Sequence, residues 1–243
     1  MTDTAHRRLR DRRIVVTGGA RGIGAAVTQM CRAEGAEVVV LDLLPGDPAV
    51  TSLRVDLADP HATRRATEEA IDCLGGVDVL VNNAGILRIA PLLEISVEDW
   101  DTTMDVNARS MLVTTQVAAR AMIDDGHGGS IVNMASMGGR VGSPGQAHYA
   151  ASKAAVMALT RVSAMELGPH GIRVNCVCPG YVLTEMGASS RTPEMVAGWA
   201  ALSPLGRCAE PDDVARMVVF LAGDESSYCT GQALDVSGGM VMP

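Results

Sequence analysis

Short runs of β-branched residues alternate with longer helical patterns along this sequence, and that alternation constrains the fold more than any other feature. Neighbouring parallel strands need crossover connections of helical length, so this order is typical of a parallel sheet covered by helices. The strand-like runs are RIVVTG (13–18), EVVVLD (37–42), TSLRVD (51–56), VDVLVNNAG (77–85), SIVNMAS (130–136), IRVNCVCPG (172–180) and ALDVSGG (233–239). We therefore expect one α/β domain over residues 1–243, with a doubly wound parallel sheet of about seven strands flanked by helices.

The segments between these runs are mostly helical in pattern. Helices are predicted over residues 22–35, 61–75, about 97–123, about 148–167 and 210–223. Ser96 is the expected N-cap of the third helix, because acidic residues follow it in the first turn. The second and third strands are joined by LLPGDPAV, which is too short for a full helix and is expected to be a loop.

Composition and charge exclude several classes of partner. The formal net charge is −8, whereas nucleic acids and anionic membranes require a basic surface. No apolar run approaches the ~20 residues of a membrane helix and no secretory signal pattern opens the chain, so we expect a cytoplasmic protein with no nucleic-acid or membrane partner. The six cysteines are scattered and lack a second Cys or His pair at ligand spacing. Free thiols and no metal site are expected.

A glycine-rich loop follows the first strand and opens the first helix. In TGGARGIG (17–24) the glycines at 18, 22 and 24 permit a tight turn and let the backbone approach a pyrophosphate, which the positive end of a helix attracts. Asp42 ends the second strand, 18 positions beyond Gly24. A carboxylate there accepts hydrogen bonds from ribose hydroxyls and repels a 2′-phosphate. The pattern predicts a dinucleotide site.

Further motifs follow the glycine loop in a fixed order: NNAG (82–85), MDVN (104–107), Ser136, YAASK (149–153) and PG (179–180). Together with the glycine spacing G-x-x-x-G-x-G, this set resembles the short-chain dehydrogenase/reductase family. The resemblance extends over nearly the whole chain. It implies a Rossmann-like single domain and an NAD(P)-dependent oxidoreductase that acts on CH–OH groups.

The resemblance also implies which residues bind the cofactor. Arg21 is of the kind that NADP-preferring members place in the glycine loop, whereas Asp42 opposes the extra phosphate and Leu43 offers it no basic partner. NAD is therefore expected rather than NADP. The expected cofactor-binding residues are Gly18, Arg21, Gly22, Ile23, Gly24, Asp42, Asp56, Leu57, Asn83, Ala84, Gly85, Tyr149, Lys153, Pro179, Gly180, Val182 and Thr184.

Four residues are the expected proton-transfer site. Tyr149 and Lys153 are four apart at the start of a helix and so lie on one face, and Lys153 is the only lysine in the sequence. A nearby ammonium favours the phenolate, so Tyr149 is the expected general acid/base, while Lys153 also holds the nicotinamide ribose. By the resemblance, Ser136 orients the substrate oxygen and Asn107 holds a water that links Lys153 to solvent.

The sequence leaves the substrate open. Residues 185–203 are expected to form a lid, with a short amphipathic helix that carries Met195 and Trp199. The resemblance favours a small secondary alcohol or polyol, to which Arg88, Arg140 or Gln146 could bind. The alternatives are reduction of a 3-oxoacyl thioester on an acyl carrier protein, a hydroxysteroid dehydrogenase, or, in another class, a non-catalytic NAD-binding regulatory protein.

The two long helices around Asn107 and Tyr149 carry apolar or small residues, among them Met111, Val113, Ala154 and Ala158. Small residues allow helices to pack closely, and members of the family commonly assemble through these two helices. A homotetramer or homodimer is expected.

Overall fold

The seven predicted strands form one parallel sheet. The computed structural model describes residues 7–186, 188 and 191–242. The strands are β1 (Arg13–Thr17), β2 (Glu37–Asp42), β3 (Thr51–Arg54), β4 (Val79–Asn82), β5 (Gly129–Met134), β6 (Ile172–Pro179) and β7 (Ala233–Val236). Their order across the sheet is β3-β2-β1-β4-β5-β6-β7, and every neighbouring pair is parallel. The chain order reverses between β1 and β4, so a ligand crevice is expected at the carboxyl ends of those strands.

Helices cover both faces of the sheet. They are α1 (Gly22–Ala33), α2 (Pro60–Leu74), α3 (Val97–Met104), α4 (Ser110–Asp125), α5 (Gly138–Val141), α6 (Ala147–Leu167), α7 (Pro193–Ala201) and α8 (Pro211–Ala222). The predicted loop between β2 and β3 contains no helix, and Ser96 caps α3 by accepting a hydrogen bond of 3.0 Å from the backbone N–H of Asp99. The Rossmann-like α/β fold predicted from the sequence is confirmed.

The core is built from aliphatic side chains that alternate between the two faces of the strands. Val16 of β1 and Val81 of β4 lie in a cluster with residues of α1 and α8. Their neighbours Val15 and Leu80 point the other way, into a cluster with residues of α2 and α4. A strand buried on both faces reads as a continuous apolar run, which is why RIVVTG and VDVLVNN carry so little polarity.

Several strands are shorter than their predicted runs, among them β4 (Val79–Asn82, predicted over 77–85) and β7 (Ala233–Val236, predicted over 233–239), and the structure differs further at the following places. The helix predicted over 97–123 is interrupted by a π-helical turn at Asp105–Arg109, which separates α3 from α4. Strand β5 ends at Met134 rather than at Ser136, because the chain turns there into α5, a short helix that the sequence pattern does not predict. Strand β3 ends at Arg54, two residues early.

No helix in the described part of the chain combines the length and the apolar character that crossing a bilayer requires. All six cysteines are free, as predicted. Among the described residues, no cluster of three or more His, Cys, Asp or Glu side chains could hold a metal ion.

Candidate active site

One pocket of about 520 Å³ opens at the carboxyl ends of the central strands. It brings together residues that are far apart in the sequence, from the glycine loop to the segment after β6. Of the residues predicted for catalysis and cofactor binding, Asn107 alone does not line it. The predicted residues in its wall are Gly18, Arg21, Gly22, Ile23, Gly24, Asp42, Asp56, Leu57, Asn83, Ala84, Gly85, Ser136, Tyr149, Lys153, Pro179, Gly180, Val182 and Thr184.

The conformation of the glycine loop requires residues without a side chain at three positions. Gly18 and Gly22 have φ angles of +67° and +55°, a region that favours glycine. A Cβ on Gly24 would overlap the carbonyl oxygen of Gly18, so the start of α1 can pack against the end of β1 only with glycine at this position. The loop therefore brings bare backbone and the N-terminus of α1 to the wall of the pocket, a geometry that suits a pyrophosphate.

Thr17 and Asn83 fix this loop to the turn after β4. The Thr17 hydroxyl accepts hydrogen bonds from the backbone N–H groups of Asn83 and Ala84, at 3.0 and 3.1 Å. The Asn83 amide donates to the carbonyl oxygens of Thr17 and Gly18, at 3.1 and 2.8 Å. Asn83 thus lies in the pocket wall and also holds the glycine loop in place. Thr17 was not among the predicted site residues, although a hydroxyl residue immediately before the first glycine was a visible signal.

Asp42 lies at the end of β2 with its carboxylate at the pocket wall. Its two oxygens accept hydrogen bonds from the backbone N–H groups of Ala20 and Leu44, at 2.9 and 3.0 Å. These two bonds hold the carboxylate in one orientation, while each oxygen retains lone pairs that ribose hydroxyls could use. Arg21 is exposed at the same wall.

The segment after β6 is held from both sides. The carbonyl oxygen of Pro179 accepts from the N–H of Met137, and the N–H of Gly180 donates to Val236, both at 3.0 Å. The carbonyl oxygen of Tyr181 accepts from the N–H of Ala209 at 2.9 Å. These backbone bonds, with a further one of 2.9 Å from the N–H of Leu183 to the carbonyl oxygen of Ala209, hold this part of the pocket wall in place.

Ser136 and Tyr149 both line the pocket, and the Ser136 hydroxyl is near enough to the phenol to lower the Tyr149 pKa. The Ser136 hydroxyl accepts a hydrogen bond of 3.0 Å from the N–H of Gly138. A Cβ on Gly138 would lie 3.3 Å from Ser136 Oγ and 3.4 Å from Tyr149 Cε1. Gly138 therefore passes close to both side chains, a positioning role that the sequence analysis did not assign to the MGGRVG segment.

Lys153 is buried behind Tyr149, with 3% of its surface exposed. Its Nζ donates a hydrogen bond of 2.8 Å to the carbonyl oxygen of Met134 and lies 5.8 Å from the centre of the Tyr149 ring. Burial lowers the pKa of Lys153 to about 8. The sequence could not predict that Met134 accepts this hydrogen bond, because every residue carries a backbone carbonyl group.

The electrostatics of Tyr149 differ from the expectation. The sequence analysis expects the Lys153 ammonium to lower the pKa of the phenol. In the structure, burial raises the pKa of Tyr149, and the Ser136 hydroxyl offsets only part of that increase. Burial is the largest influence on this pKa, and Lys153 Nζ is bonded to the carbonyl oxygen of Met134 and lies over the Tyr149 ring, 5.8 Å from its centre.

Asn107 occupies the π-helical turn and is fully buried. Its amide donates to the carbonyl oxygen of Ile86 and to Ser152 Oγ, both at 3.0 Å, and its Oδ1 accepts from the N–H of Ile86 at 2.8 Å. These contacts fix the loop that follows Gly85. A Cβ on Gly85 would be 3.3 Å from both Asn107 Oδ1 and Lys153 Nζ, so the two side chains meet behind this glycine.

The proposed lid is described in part. Gly187, Ser189 and Ser190 lie outside the described residues. The predicted amphipathic helix is present as α7, capped by Thr192, whose hydroxyl accepts from the N–H of Met195 at 3.3 Å. Met195 and Trp199 of this helix line the pocket.

Two of the three residues suggested for polar substrates do not reach the pocket. Arg88 pairs with Asp99 at the surface, and Arg140 donates to Asp235 Oδ1 at 2.9 Å. Neither lines the pocket, whereas Gln146 does. Each arginine forms an ion pair with an aspartate, and the spacing of these residues in the sequence does not reveal the pairing.

The chain is similar over nearly its whole length to several dehydrogenases and reductases. Residues 18–241 match the family model described as enoyl-(acyl carrier protein) reductase. The chain is 41% identical over 256 residues to a (3R)-3-hydroxyacyl-CoA dehydrogenase of Mus musculus, covering 97% of this chain and 98% of that protein. It is 39% identical over 243 residues to an L-xylulose reductase of Bos taurus, covering 96% and 98%. A solved short-chain type dehydrogenase/reductase from Mycobacterium marinum aligns with a TM-score of 0.90 at 34% identity, over 98% of each chain.

Proposed function

The chain belongs to the short-chain dehydrogenase/reductase family, and on that premise we propose that it uses NAD, with Tyr149 as the group that transfers the proton. As a member, it is an oxidoreductase that interconverts a secondary alcohol and its ketone. The observation that carries the proposal is that Ser136, Tyr149 and Lys153 line the same pocket as the glycine loop and Asp42. A reacting carbonyl and a dinucleotide can therefore occupy one continuous space.

The residues present fit a nicotinamide dinucleotide. The bare backbone of the glycine loop and the N-terminus of α1 suit the pyrophosphate, and Asp42 and Asp56 line the end of the pocket assigned to adenosine. Asp42 favours NAD over NADP, because a 2′-phosphate beside its carboxylate would place like charges together. When bound, the nicotinamide supplies or accepts the hydride.

The chain's own residues handle the proton and the orientation of the substrate. In the reducing direction, Tyr149 donates its phenolic proton to the substrate oxygen as the carbonyl carbon gains the hydride. The Ser136 hydroxyl accepts from Gly138 and retains its own hydrogen, which it can donate to the same oxygen. Oxidation of the alcohol follows the same path in reverse, with Tyr149 as the base.

Lys153 and Asn107 support this transfer. The ammonium uses one N–H for Met134, which leaves two for the hydroxyls of the nicotinamide ribose. Asn107 lies behind Lys153 and secures the loop that follows Gly85, a position from which it can also hold a water that replenishes the proton.

For the substrate we propose a 3-hydroxyacyl thioester and its 3-oxo form. The part of the pocket beyond Tyr149 is lined by Ile89, Val141, Met186 and Trp199, so it suits an apolar group better than a polyol. The similarity to a (3R)-3-hydroxyacyl-CoA dehydrogenase supports this choice. A small secondary alcohol or polyol is the second candidate, supported by the L-xylulose reductase and by Gln146 in the pocket wall.

We also propose a cytoplasmic homotetramer or homodimer that assembles through α4 and α6. Met111 and Val113, named from the sequence, are buried within one subunit. The exposed apolar side chains on these helices are instead Leu112, Val162 and Met165, and they support a contact between copies. The molar mass from light scattering tests this assembly.

The catalytic proposal is tested with Tyr149→Phe. Initial rates are followed by the absorbance of the reduced cofactor, with NADH and NADPH on 3-oxoacyl thioesters and with NAD and NADP on small secondary alcohols, polyols and hydroxysteroids. We expect NAD-dependent turnover of thioesters and a loss of at least about 100-fold in kcat for the variant, while NAD binding persists. Unchanged turnover by Tyr149→Phe would contradict the mechanism. Binding of NAD without turnover of any substrate by the unmodified enzyme would favour the regulatory alternative.

A further inference from the structure

The pocket contains an aromatic pair that the chemistry above does not use. The sequence has only two tryptophans, three tyrosines and one phenylalanine. Three of these six residues, Tyr149, Tyr181 and Trp199, line this one pocket. Tyr149 is assigned to proton transfer, which leaves Tyr181 and Trp199 without a role.

Tyr181 and Trp199 stack in parallel. Their ring centroids are 4.5 Å apart and their planes differ by 6°. Stacked pairs of this kind contribute beyond the area that they bury, and the two large rings hold each other in fixed rotamers. We call this pair the aromatic wall.

The aromatic wall has one rigid side and one weakly held side. Tyr181 belongs to the segment that is bonded to Ala209 and follows the fixed Gly180. Trp199 belongs to α7, in which none of the residues is buried. A helix without a buried residue has little packing of its own, so the ring stack is a principal contact that keeps Trp199 against the pocket.

The mouth of the pocket continues the apolar surface outward. Ile89, Val141, Met186 and Met195 all line the pocket, yet their exposed fractions are 68%, 64%, 45% and 41%. Exposed apolar side chains grouped around a pocket mark a binding groove, and methionine side chains adapt to variable ligands. A ligand that only filled the interior would leave this rim in water.

We propose that the aromatic wall and the apolar rim bind the unbranched acyl chain of the substrate, and that the wall makes chain length a determinant of specificity. This inference rests on the proposed thioester substrate. A flexible chain can lie along the stacked rings and leave through the rim. Each methylene that moves from water onto the wall should raise kcat/KM about fourfold, which corresponds to ~0.8 kcal/mol per buried CH₂.

The test is a chain-length series of 3-oxoacyl thioesters from four to twelve carbons. For the unmodified enzyme we expect kcat/KM to rise with length through KM, with kcat nearly constant. Trp199→Ala should flatten the rise to less than about twofold per methylene, and Trp199→Phe should restore most of the slope. Trp100→Ala is the matched control, because Trp100 is 40% exposed on α3 and does not line the pocket.

A binding measurement separates this inference from the proposed function. In Trp100→Phe, Trp199 is the only tryptophan, and its fluorescence reports on the wall without turnover. Straight-chain secondary alcohols should change that fluorescence with affinity that rises with length, whereas polyols should not. Turnover of short thioesters with neither a length dependence nor a fluorescence response would overturn the wall and leave the proposed function intact. A length-dependent fluorescence response without thioester turnover would support the wall and overturn the thioester assignment.

Discussion

The ammonium of Lys153 donates a hydrogen bond of 2.8 Å to the carbonyl oxygen of Met134, at the end of strand β5. The sole lysine of the sequence is therefore positioned by the sheet as well as by its own helix. One N–H is committed to the backbone, and the remaining two are directed by that bond. A planar guanidinium has a different length and a fixed fork of donors, so it cannot reproduce this geometry.

Lys153→Arg should keep the positive charge and the fold but lose at least about 100-fold in kcat/KM. The site has little room at the end of the side chain, because a Cβ on Gly85 would lie 3.3 Å from Lys153 Nζ. Steady-state kinetics and an NAD titration measure the loss, and circular dichroism checks the fold. Arg161→Lys, an exposed exchange on the same helix, is the control and should have no effect. Activity retained in Lys153→Arg would mean that charge alone suffices.

Asp42→Asn should weaken the preference for NAD. The amide can still accept hydrogen bonds through one oxygen, but it no longer repels a 2′-phosphate, and Arg21 lies at the same wall. We expect kcat/KM with NADP to rise about tenfold and that with NAD to fall by a similar factor. Kinetics with both cofactors measure the ratio.

Asp47→Asn is the control for this change, because Asp47 lies in the loop that follows Asp42 but does not line the pocket. An unchanged cofactor ratio in Asp42→Asn would show that other groups set the preference.

Gly138→Ala should reduce kcat while the protein remains folded. The added methyl group would contact Ser136 Oγ at 3.3 Å and the Tyr149 ring at 3.4 Å, so one of the two must shift. Small displacements of reacting groups are costly, and we expect a decrease of about tenfold in kcat with little change in the affinity for NAD. Gly168→Ala is the control, since a Cβ there meets nothing within 4 Å. Full activity in Gly138→Ala would remove the positioning role assigned to this glycine.

The two directions of the reaction should respond oppositely to pH. Burial raises the pKa of the Tyr149 phenol, so at neutral pH the group is protonated and ready to donate to a ketone. Oxidation needs the deprotonated form, so its kcat/KM should rise with pH, whereas reduction should fall above the Tyr149 pKa. Ser136→Ala removes a hydroxyl that lowers the Tyr149 pKa and should move both profiles to higher pH. Initial rates in both directions between pH 6 and 12 measure this, and parallel profiles would contradict it.

Thermal unfolding at each pH is the control for these profiles. The pKa of Lys153 in the folded protein is lowered to about 8, below its ordinary value of 10.5. The contribution of this group to stability is therefore fully present above about 10.5 and is lost as the pH falls through about 8. Because this contribution grows with alkalinity, a decrease in the reduction rate at high pH is not explained by Lys153 destabilising the fold.

Much of this architecture followed from local patterns. The apolar strand runs and the glycine loop each indicate one kind of local structure. Buried parallel strands need continuous apolar residues, and a tight phosphate-binding turn needs glycine. The four-residue spacing of Tyr149 and Lys153 placed them on one helix face, and both line the pocket. These are features in which a residue's own chemistry determines its place.

The features that escaped prediction depend on partners that leave no mark in the sequence. The acceptor for Lys153 is a backbone carbonyl, and the close approach of Gly138 to Ser136 depends on how α5 folds back. Arg88 and Arg140 resemble free cations in the sequence, but each is bonded to a carboxylate. The ring stack of Tyr181 on Trp199 joins segments that only the tertiary fold brings together.

The π-helical turn at Asp105–Arg109 also changes the angular register of the polypeptide. Such a turn contains one residue more than an α-helical turn, and each residue of a helix advances the side chains by about 100°. The side chains of α4 are therefore rotated about the helix axis relative to those of α3, although the sequence pattern predicts one continuous helix. Deleting a single residue between 105 and 109 would remove that rotation, turn the buried stripe of α4 away from the sheet, and withdraw Asn107 from Ile86.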